Sequence, residues 1–191
     1  MLDWNPRHLY RQVFDDHEEV EHFLTTVCTL EWHAQHDAGV SMAETIPSLV
    51  AEHPHLAGQI AAWRVRYLDM VSGYVDGMEE LVDEVRATGI ATYALTNMPA
   101  EVVAELIEAF PIVSGFEGMI VSGEELVMKP DPEIYRRLAS RFGLDPARTV
   151  FVDDVAANVD AAWTLGFRAV RFESALGLRR ALARWGVAVS T

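Results

Sequence analysis

Cysteine, basic residues and long apolar runs are all scarce in this sequence. Cys28 is the only cysteine among 191 residues, so no intrachain disulfide bond can form and we expect a reducing, cytoplasmic environment. Lysine and arginine number 15 against 29 acidic residues, and the resulting net charge of −14 argues against binding to nucleic acid or to an anionic membrane. No run approaches the roughly 18 apolar residues of a membrane-spanning helix, and the first residues lack the basic and apolar segments of a secretory signal.

The sequence does contain enough apolar material for a folded core, arranged in two different patterns. Hydrophobic residues make up 50% of the chain and charged residues 23%, which is typical of a globular protein. From about Arg7 to Tyr74 the apolar residues recur every three or four positions, which predicts helices. From Met78 onward short apolar strands alternate with helices, which predicts βα units on a parallel sheet. We therefore expect a helical domain at 5–75 and an α/β domain formed by 76–191 together with 1–4.

In the α/β domain, four strands and five helices are predicted from this alternation. The predicted strands are Ile90–Leu95, Gly118–Val121, Thr149–Val152 and Ala169–Phe172. The predicted helices are Glu79–Ala87, Glu101–Phe110, Glu133–Phe142, Ala156–Leu165 and a closing helix through Leu178–Arg184.

The most informative residues are two adjacent aspartates, Asp153 and Asp154, that follow the apolar run Thr149–Val152. Such a run before a helix-prone segment is typical of a buried parallel strand, and open α/β sheets bind their ligands at the carboxyl ends of such strands. Two neighbouring carboxylates repel each other unless they are paired or bound to a cation, and Mg²⁺ prefers oxygen ligands of this kind. The alternative is that Asp154 caps the next helix, and the two aspartates alone do not decide between these roles.

A hydroxyl and an amide side chain, Thr96 and Asn97, stand at the end of the predicted strand Ile90–Leu95. Both side chains can donate hydrogen bonds to an anion, and the first backbone N–H groups of the next helix add a partial positive charge. Capping of that helix by Asn97, with Pro99 in its first turn, is the structural alternative. The two roles are compatible because both use the same helix end.

A lysine followed by a proline, Lys129-Pro130, stands between the apolar pair Val127-Met128 and the start of a predicted helix. The proline favours an extended backbone at Lys129. The lysine does not belong to an evident solvated helix face, which leaves it available for a site. An ordinary exposed loop lysine is the alternative, and it is the more frequent case for such a residue taken alone.

In this order and at this spacing, the three pairs resemble motifs of the haloacid dehalogenase (HAD) superfamily of hydrolases. Thr96-Asn97 is similar to the second motif, Lys129-Pro130 to the third, and Asp153-Asp154 with Asn158 to the fourth. The resemblance extends over essentially the whole chain. The segment 2–8 also looks like the one that follows the first motif in the branch of small sugar-phosphate phosphatases.

The resemblance implies a Rossmann-like parallel sheet with a small α-helical cap, formed by the helical domain, that selects the substrate. It implies a Mg²⁺-dependent phosphatase in which an aspartate attacks phosphorus and water then hydrolyses the phosphoaspartate. Such chemistry depends on positioning and on charge stabilisation. The implied partner is a small phosphorylated metabolite, and we expect a monomer or a homodimer. The implied roles are phosphate binding by Thr96, Asn97 and Lys129, charge neutralisation by Lys129, Mg²⁺ binding by Asp154 with Asp153 as a second ligand or a supporting group, and support by Asn158.

The family's first motif, an apolar strand that ends in the nucleophilic aspartate, has no counterpart in the sequence. Asp3 is not a convincing substitute, because it matches a position after that motif and no strand precedes it. We therefore expect the first core strand and the nucleophile to be missing, and the chain as given to be inactive. In the resembled family this strand lies between the strands that here end at Leu95 and Val152. A misassigned start codon, a truncation and a catalytically inactive relative all remain open.

Two other functions compete with the phosphatase. A 2-haloacid dehalogenase shares the fold but attacks carbon without a metal, and it gives no reason for the pair Asp153-Asp154. A non-catalytic remnant that still binds phosphate is favoured by the missing strand, whereas Thr96, Lys129 and Asp154 fit either function.

The seven histidines all fall within residues 8–55, which invites a metal site. His33 and His36 are three positions apart, but no cysteine or carboxylate cluster completes a set of ligands. We therefore expect a solvated or partly buried surface of the helical domain. Trp4 and Trp63 are expected in the core of that domain or at its contact with the α/β domain.

Overall fold

The computed structural model describes residues 1–190 and has an α/β fold in which helices pack around short strands. Its α-helices are α1 (Pro6–Tyr10), α2 (His17–Thr26), α3 (Leu30–Asp37), α4 (Met42–Glu52), α5 (Ala57–Val65), α6 (Met78–Ala87), α7 (Val103–Ala109), α8 (Pro111–Ser114), α9 (Ser122–Glu125), α10 (Pro132–Phe142), α11 (Ala156–Thr164) and α12 (Ala175–Arg184). Single 3-10 turns lie at Pro54–Leu56, Tyr67–Met70, Ala100–Val102 and Pro146–Arg148.

The strands of the described chain form three separate pairs. The antiparallel pair is β1 (Leu2–Trp4) with β2 (Val71–Tyr74), and the parallel pairs are β3 (Tyr93–Thr96) with β4 (Gly118–Val121) and β5 (Val150–Asp153) with β6 (Arg168–Arg171). Neither parallel pair is hydrogen-bonded to the other. Within residues 1–190, β3 and β5 therefore each have one edge without a strand partner.

The alternation of helices and strands predicted for the α/β domain is confirmed. The strand β4 has the predicted bounds, and the other three strands differ from the prediction by one to three residues. The segment before Tyr74 corrects the prediction, because it was expected to be helical throughout and instead ends in β2. The sequence did not predict β1, the short strand that contains Asp3. Both strands are too short to show a periodic pattern, and their pairing across the length of the helical domain decides their conformation.

The helix α10 shows how local sequence positions the site, because it begins just after Lys129. The Asp131 side chain accepts a hydrogen bond from the backbone N–H of Glu133 and caps the helix start. Gly143 ends the helix with a left-handed backbone (φ 63°), which glycine adopts without steric cost. The apolar face between these ends is buried in the α/β core, so the loop that carries Lys129 is anchored at its C-terminal side.

The apolar core consists of three clusters. The largest fills the helical domain around Tyr10, Phe23 and Trp63, and it includes Leu106 of α7, so the two predicted domains share buried surface. The other two clusters cover the faces of the parallel pairs. The boundary near residue 75 stays a prediction. No helix among residues 1–190 combines the length and the apolar character that crossing a membrane requires.

Candidate functional site

The Lys129 side chain joins the two parallel strand pairs. Its Nζ atom donates a 2.9 Å hydrogen bond to the carbonyl oxygen of Leu95 on β3 and a 2.6 Å bond to Oδ2 of Asp153 on β5. Only 9% of Lys129 is exposed, and Asp153 is 4% exposed. A buried ammonium is stable only when it is paired, so this ion pair fixes the lysine at the carboxyl ends of both strands.

The other oxygen of Asp153 is also fully used. Its Oδ1 atom accepts hydrogen bonds from the backbone N–H of Val155 and from Nδ2 of Asn158, both at 2.9 Å. The carbonyl oxygen of Asn158 in turn accepts a 2.9 Å bond from the Tyr135 hydroxyl. Asp153 is thereby held as the counter-charge of Lys129, and Asn158 donates one of the hydrogen bonds that hold it.

Asp154 has the opposite environment. Its side chain is exposed and makes no hydrogen bond to the described residues, while its backbone carbonyl accepts a 3.3 Å bond from Nε of Arg171. Val155, and not Asp154, occupies the N-cap position of α11. The Asp154 carboxylate is therefore free to bind a ligand.

Asn97 holds the Lys129 backbone from both sides. Its Nδ2 donates to the carbonyl oxygen of Lys129 at 3.0 Å, and its Oδ1 accepts from the Lys129 N–H at 2.9 Å. These bonds position the Lys129 backbone and use one of the two N–H groups of the Asn97 amide, so the second N–H remains available as a donor. The Thr96 hydroxyl makes one long contact, 3.4 Å to the carbonyl of Asn97, and can turn toward a ligand.

Sequence reasoning overlooked two features of this site. Ser122 is fully buried, and its hydroxyl accepts a 3.0 Å bond from the N–H of Met98, which orders the segment after Asn97. Lys129 is the only lysine in the 191 residues, whereas 14 arginines supply the other basic side chains. The presence of one lysine among so many arginines could have indicated a functional role for Lys129. A lysine ammonium is a compact charge that an arginine cannot replace in a closed site.

The available carboxylate ligands suit a magnesium ion only if the ion keeps several of its bound waters. Asp154 offers free carboxylate oxygens beside the engaged Asp153. Across residues 1–190, no three histidine, cysteine or acidic side chains come together as a metal site. Mg²⁺ is often held by one or two carboxylates and several waters, so the donor set fits Mg²⁺ in that mode.

Two of the histidines predicted at the surface are instead buried. His33 is 5% exposed and His36 is 1% exposed. The His33 ring stacks on Trp4, with ring centres 4.8 Å apart, and its Nδ1 accepts a 3.3 Å bond from the indole N–H of Trp63. Burial lowers the pKa of His33 to about 3 and that of His36 to about 4, so both are neutral members of an aromatic core. Trp4 and Trp63 lie in that core, as predicted.

A buried lysine, free carboxylate oxygens and a hydroxyl at the carboxyl ends of parallel strands define a hydrolase-type α/β site. The model of the haloacid dehalogenase-like hydrolases matches residues 6–166, and the chain belongs to this family. The chain is 30% identical over 119 residues to a chloroplast flavin mononucleotide hydrolase of Arabidopsis thaliana. The aligned residues cover 61% of this chain and 47% of that protein.

Two further relatives are phosphatases. A sesquiterpene phosphatase of Aspergillus oryzae is 36% identical over 89 residues, which cover 47% of this chain and 45% of that protein. A phosphoglycolate phosphatase of Salmonella paratyphi A is 33% identical over 82 residues, which cover 43% of this chain and 32% of that protein. The chain thus matches between about a third and a half of the length of these curated relatives.

Solved structures share the fold over most of the chain. A HAD-like hydrolase from Porphyromonas gingivalis superimposes with a TM-score of 0.70 at 18% identity, covering 96% of this chain and 91% of that one. A HAD family enzyme from Bacteroides thetaiotaomicron, crystallised with magnesium and inorganic phosphate, has a TM-score of 0.64 at 18% identity and covers 91% of this chain and 89% of that one. At these identities the likeness shows the α/β fold, which confirms the predicted fold class.

Proposed function

We propose that the protein is a Mg²⁺-dependent phosphatase of small phosphorylated metabolites, acting through a phosphoaspartate. The observation that carries the proposal is the buried Lys129, held between β3 and β5 by Leu95 and Asp153 with Asp154 free beside it. A positive charge at this position offsets the negative charge of a phosphoryl group and of the carboxylate that attacks it. The phosphatases among the relatives support the choice of reaction.

Each residue of the site has a distinct part in the proposal. Lys129 binds a phosphoryl oxygen, the Thr96 hydroxyl donates to a second one, and Asn97 fixes the lysine backbone. Asp154 holds the magnesium ion, with Asp153 restricted to a supporting part by its three hydrogen bonds. When bound, Mg²⁺ supplies positive charge that stabilises the phosphoryl oxygens in the transition state.

We further propose that the attacking aspartate belongs to a strand between β3 and β5 that residues 1–190 do not supply. The open edges of both strands support this, because a strand placed there would end beside Lys129. Asp3 is a poor candidate, since it lies in β1, which pairs with β2, and its carboxylate is engaged by Ser72 and His8.

Two proteins test this proposal: the chain as given, and the chain with an added N-terminal apolar strand that ends in Asp-x-Gly-Gly-Val. Hydrolysis of p-nitrophenyl phosphate is measured with and without Mg²⁺. The chain as given should show negligible turnover, and the extended chain should show Mg²⁺-dependent turnover. The matched control carries asparagine in place of the added aspartate. Robust turnover by the chain as given, or none by the extended chain, contradicts the proposal.

Within the extended protein, Asp154→Ala should remove the Mg²⁺ dependence with nearly all activity. Lys129→Ala should lower the rate by roughly a hundredfold or more, the usual loss on removing one electrostatic donor. The dehalogenase alternative predicts release of halide from 2-chloropropionate without Mg²⁺. The non-catalytic alternative predicts phosphate binding but no turnover in the extended chain.

Binding of phosphate is tested separately through the single lysine. Biosynthetic labelling with ¹³C-lysine gives one set of lysine signals, which belongs to Lys129. Addition of inorganic phosphate with Mg²⁺ should shift the ε-methylene signal of the chain as given. An unchanged signal at saturating phosphate would show that the lysine is a purely structural partner of Asp153.

A further inference from the structure

Asp37, the last residue of α3, is a nearly buried carboxylate without a hydrogen-bond partner among residues 1–190. Its side chain is 13% exposed, and Oδ1 is enclosed 3.5 Å from Nε2 of His33. That distance is too long for a strong hydrogen bond, and His33 is neutral near pH 7, so the contact is not an ion pair. Buried carboxylates are otherwise paired or hydrogen-bonded, so a free one calls for an explanation.

The helix that carries Asp37 ends against the segment that precedes Lys129. Gly39, two residues beyond Asp37, lies against Gly123 and Leu126, the segment just before Lys129. A Cβ at Gly39 would stand 3.1 Å from the carbonyl oxygen of Gly123, and its φ of +99° is one that other residues rarely adopt. This close approach fixes the end of α3 against the segment 123–126, which leads to Lys129.

The charge of Lys129 acts on the ionisation of Asp37. Burial raises the pKa of Asp37 to about 7, and the positive charge of Lys129 opposes that rise. The charge of Asp37 also contributes, after burial, to the raised pKa of the Tyr67 hydroxyl. Asp37 thus touches the aromatic core at His33, while its helix ends beside the segment that leads to Lys129.

We propose that Asp37 binds the alcohol part of the substrate, accepting a hydrogen bond from a hydroxyl group near the phosphoester. At pH 8, above its raised pKa, the Asp37 carboxylate is ionised and accepts hydrogen bonds only, so its partner must donate, as a hydroxyl does. Its negative charge also disfavours substrates that carry a carboxylate at this place. The selected class is thus the phosphates of polyols and sugars, and the disfavoured class is the phosphates of hydroxy acids.

This inference rests on the proposed function, because it needs phosphate bound at Lys129. The test uses the full chain with Mg²⁺ at pH 8, where Asp37 is ionised, and measures dissociation constants by isothermal titration calorimetry. The ligands are inorganic phosphate, sn-glycerol 3-phosphate, n-propyl phosphate and 2-phosphoglycolate. Glycerol phosphate and propyl phosphate differ in their hydroxyl groups, and phosphoglycolate introduces the carboxylate.

The wild-type chain should bind glycerol phosphate about tenfold or more tightly than propyl phosphate, as expected for a hydrogen bond to a charged group. Phosphoglycolate should bind more weakly than propyl phosphate. In Asp37→Ala the preference for glycerol phosphate should disappear. In Asp37→Asn, phosphoglycolate should gain affinity because the repulsion is gone, while inorganic phosphate should bind as before.

Asp15→Asn is the matched control, since it removes the same charge from an exposed position of the helical domain. It should leave all four affinities unchanged, which separates a local effect from one of net charge. Circular dichroism of each variant verifies the fold before titration. Unchanged ligand preferences in both Asp37 variants, with inorganic phosphate still bound, would overturn the inference alone. Failure of the wild-type chain to bind inorganic phosphate would overturn the proposed function and this inference together.

Discussion

Asn97 and Lys129 are joined by a reciprocal pair of hydrogen bonds: Nδ2 of Asn97 donates to the carbonyl oxygen of Lys129, and the Lys129 N–H donates to Oδ1 of Asn97. These bonds tie the end of β3 to the loop before α10, residues that are 32 positions apart. The asparagine thereby acts on the site through the lysine. Its role as a phosphate ligand stays a prediction, for which one N–H group of the amide remains.

Asn97→Ala should therefore destabilise the fold and weaken phosphate binding together. It leaves a carbonyl and an N–H of Lys129 without partners in a partly buried place, which costs about 1–3 kcal/mol for each unsatisfied group. Urea denaturation followed by circular dichroism measures the change in the free energy of unfolding. Thr96→Val is the control, because the threonine hydroxyl makes only one long contact. A stability loss no greater than that of Thr96→Val would contradict the positioning role.

The ion pair between Lys129 and Asp153 should be strongly coupled. Lys129→Met leaves the Asp153 carboxylate buried without its counter-charge, which typically costs about 3–5 kcal/mol. Combining it with Asp153→Asn should restore part of that loss, so a double-mutant cycle should give a coupling energy of at least about 1 kcal/mol. The exposed pair of Arg66 and Asp69 is the matched control, with an expected coupling below about 1 kcal/mol. Additive effects of the two changes at Lys129 and Asp153 would show that the pair is not a unit.

Some strands of the fold could be predicted from the sequence and others could not. The α/β alternation was predictable because each strand is a short apolar run between helix signals, and β4 was found to the residue. β1 and β2 were not, since three or four residues carry no period and their conformation depends on a partner about 70 positions away. Long-range pairing of this kind leaves no local trace.

The sequence indicated which residues form the site, but not which hydrogen bonds they make. Spacing alone indicated Thr96, Asn97, Lys129 and the two aspartates. It could not distinguish Asp153, whose oxygens are filled by Lys129, Val155 and Asn158, from the free Asp154, because that difference arises only on folding. The part played by Asp37 was also hidden, since an aspartate at a helix end is ordinary in a sequence and informative only when its burial is known.

The helical domain should lose stability in mild acid because of its two buried histidines. The unfolded chain protonates histidine near pH 6.5, whereas burial lowers the pKa of folded His33 to about 3 and of His36 to about 4. Below pH 6.5 the unfolded state binds more protons, so the free energy of unfolding falls by about 1.4 kcal/mol per pH unit for each histidine. Melting curves between pH 7 and pH 5 measure this slope. His33→Gln should reduce the slope, whereas His22→Asn, changed at an exposed position of α2, should not.

Asp37 should have the opposite effect on stability. Its pKa is raised by burial from 3.8 to about 7, against the smaller lowering effect of Lys129. The folded state therefore holds this proton more tightly than the unfolded state, and stability is lost as the pH rises from about 4 through 7. Asp37→Asn removes the ionisation, so it should stabilise the protein at pH 8 by up to about 4 kcal/mol and have little effect at pH 4. A stabilising variant that also loses ligand preference would mark Asp37 as a residue kept for binding at the expense of stability.

The open edges of β3 and β5 set the stability of the chain as a whole. A strand edge in a buried region leaves backbone N–H and C=O groups unpaired, and each costs on the order of 1–3 kcal/mol. A domain has only about 5–15 kcal/mol of net stability, so a few such groups could exhaust it. We therefore expect the chain as given to melt at low temperature, to aggregate, or to associate through these edges.

Calorimetry combined with light scattering tests this expectation for the chain as given. An extended protein with an added apolar strand should melt at least about 10 °C higher, because a shift of this size corresponds to a few kcal/mol. A monomeric, cooperative transition of the chain as given above roughly 60 °C, high for a mesophile domain, would mean that Lys129 and its partners close the gap without a further strand.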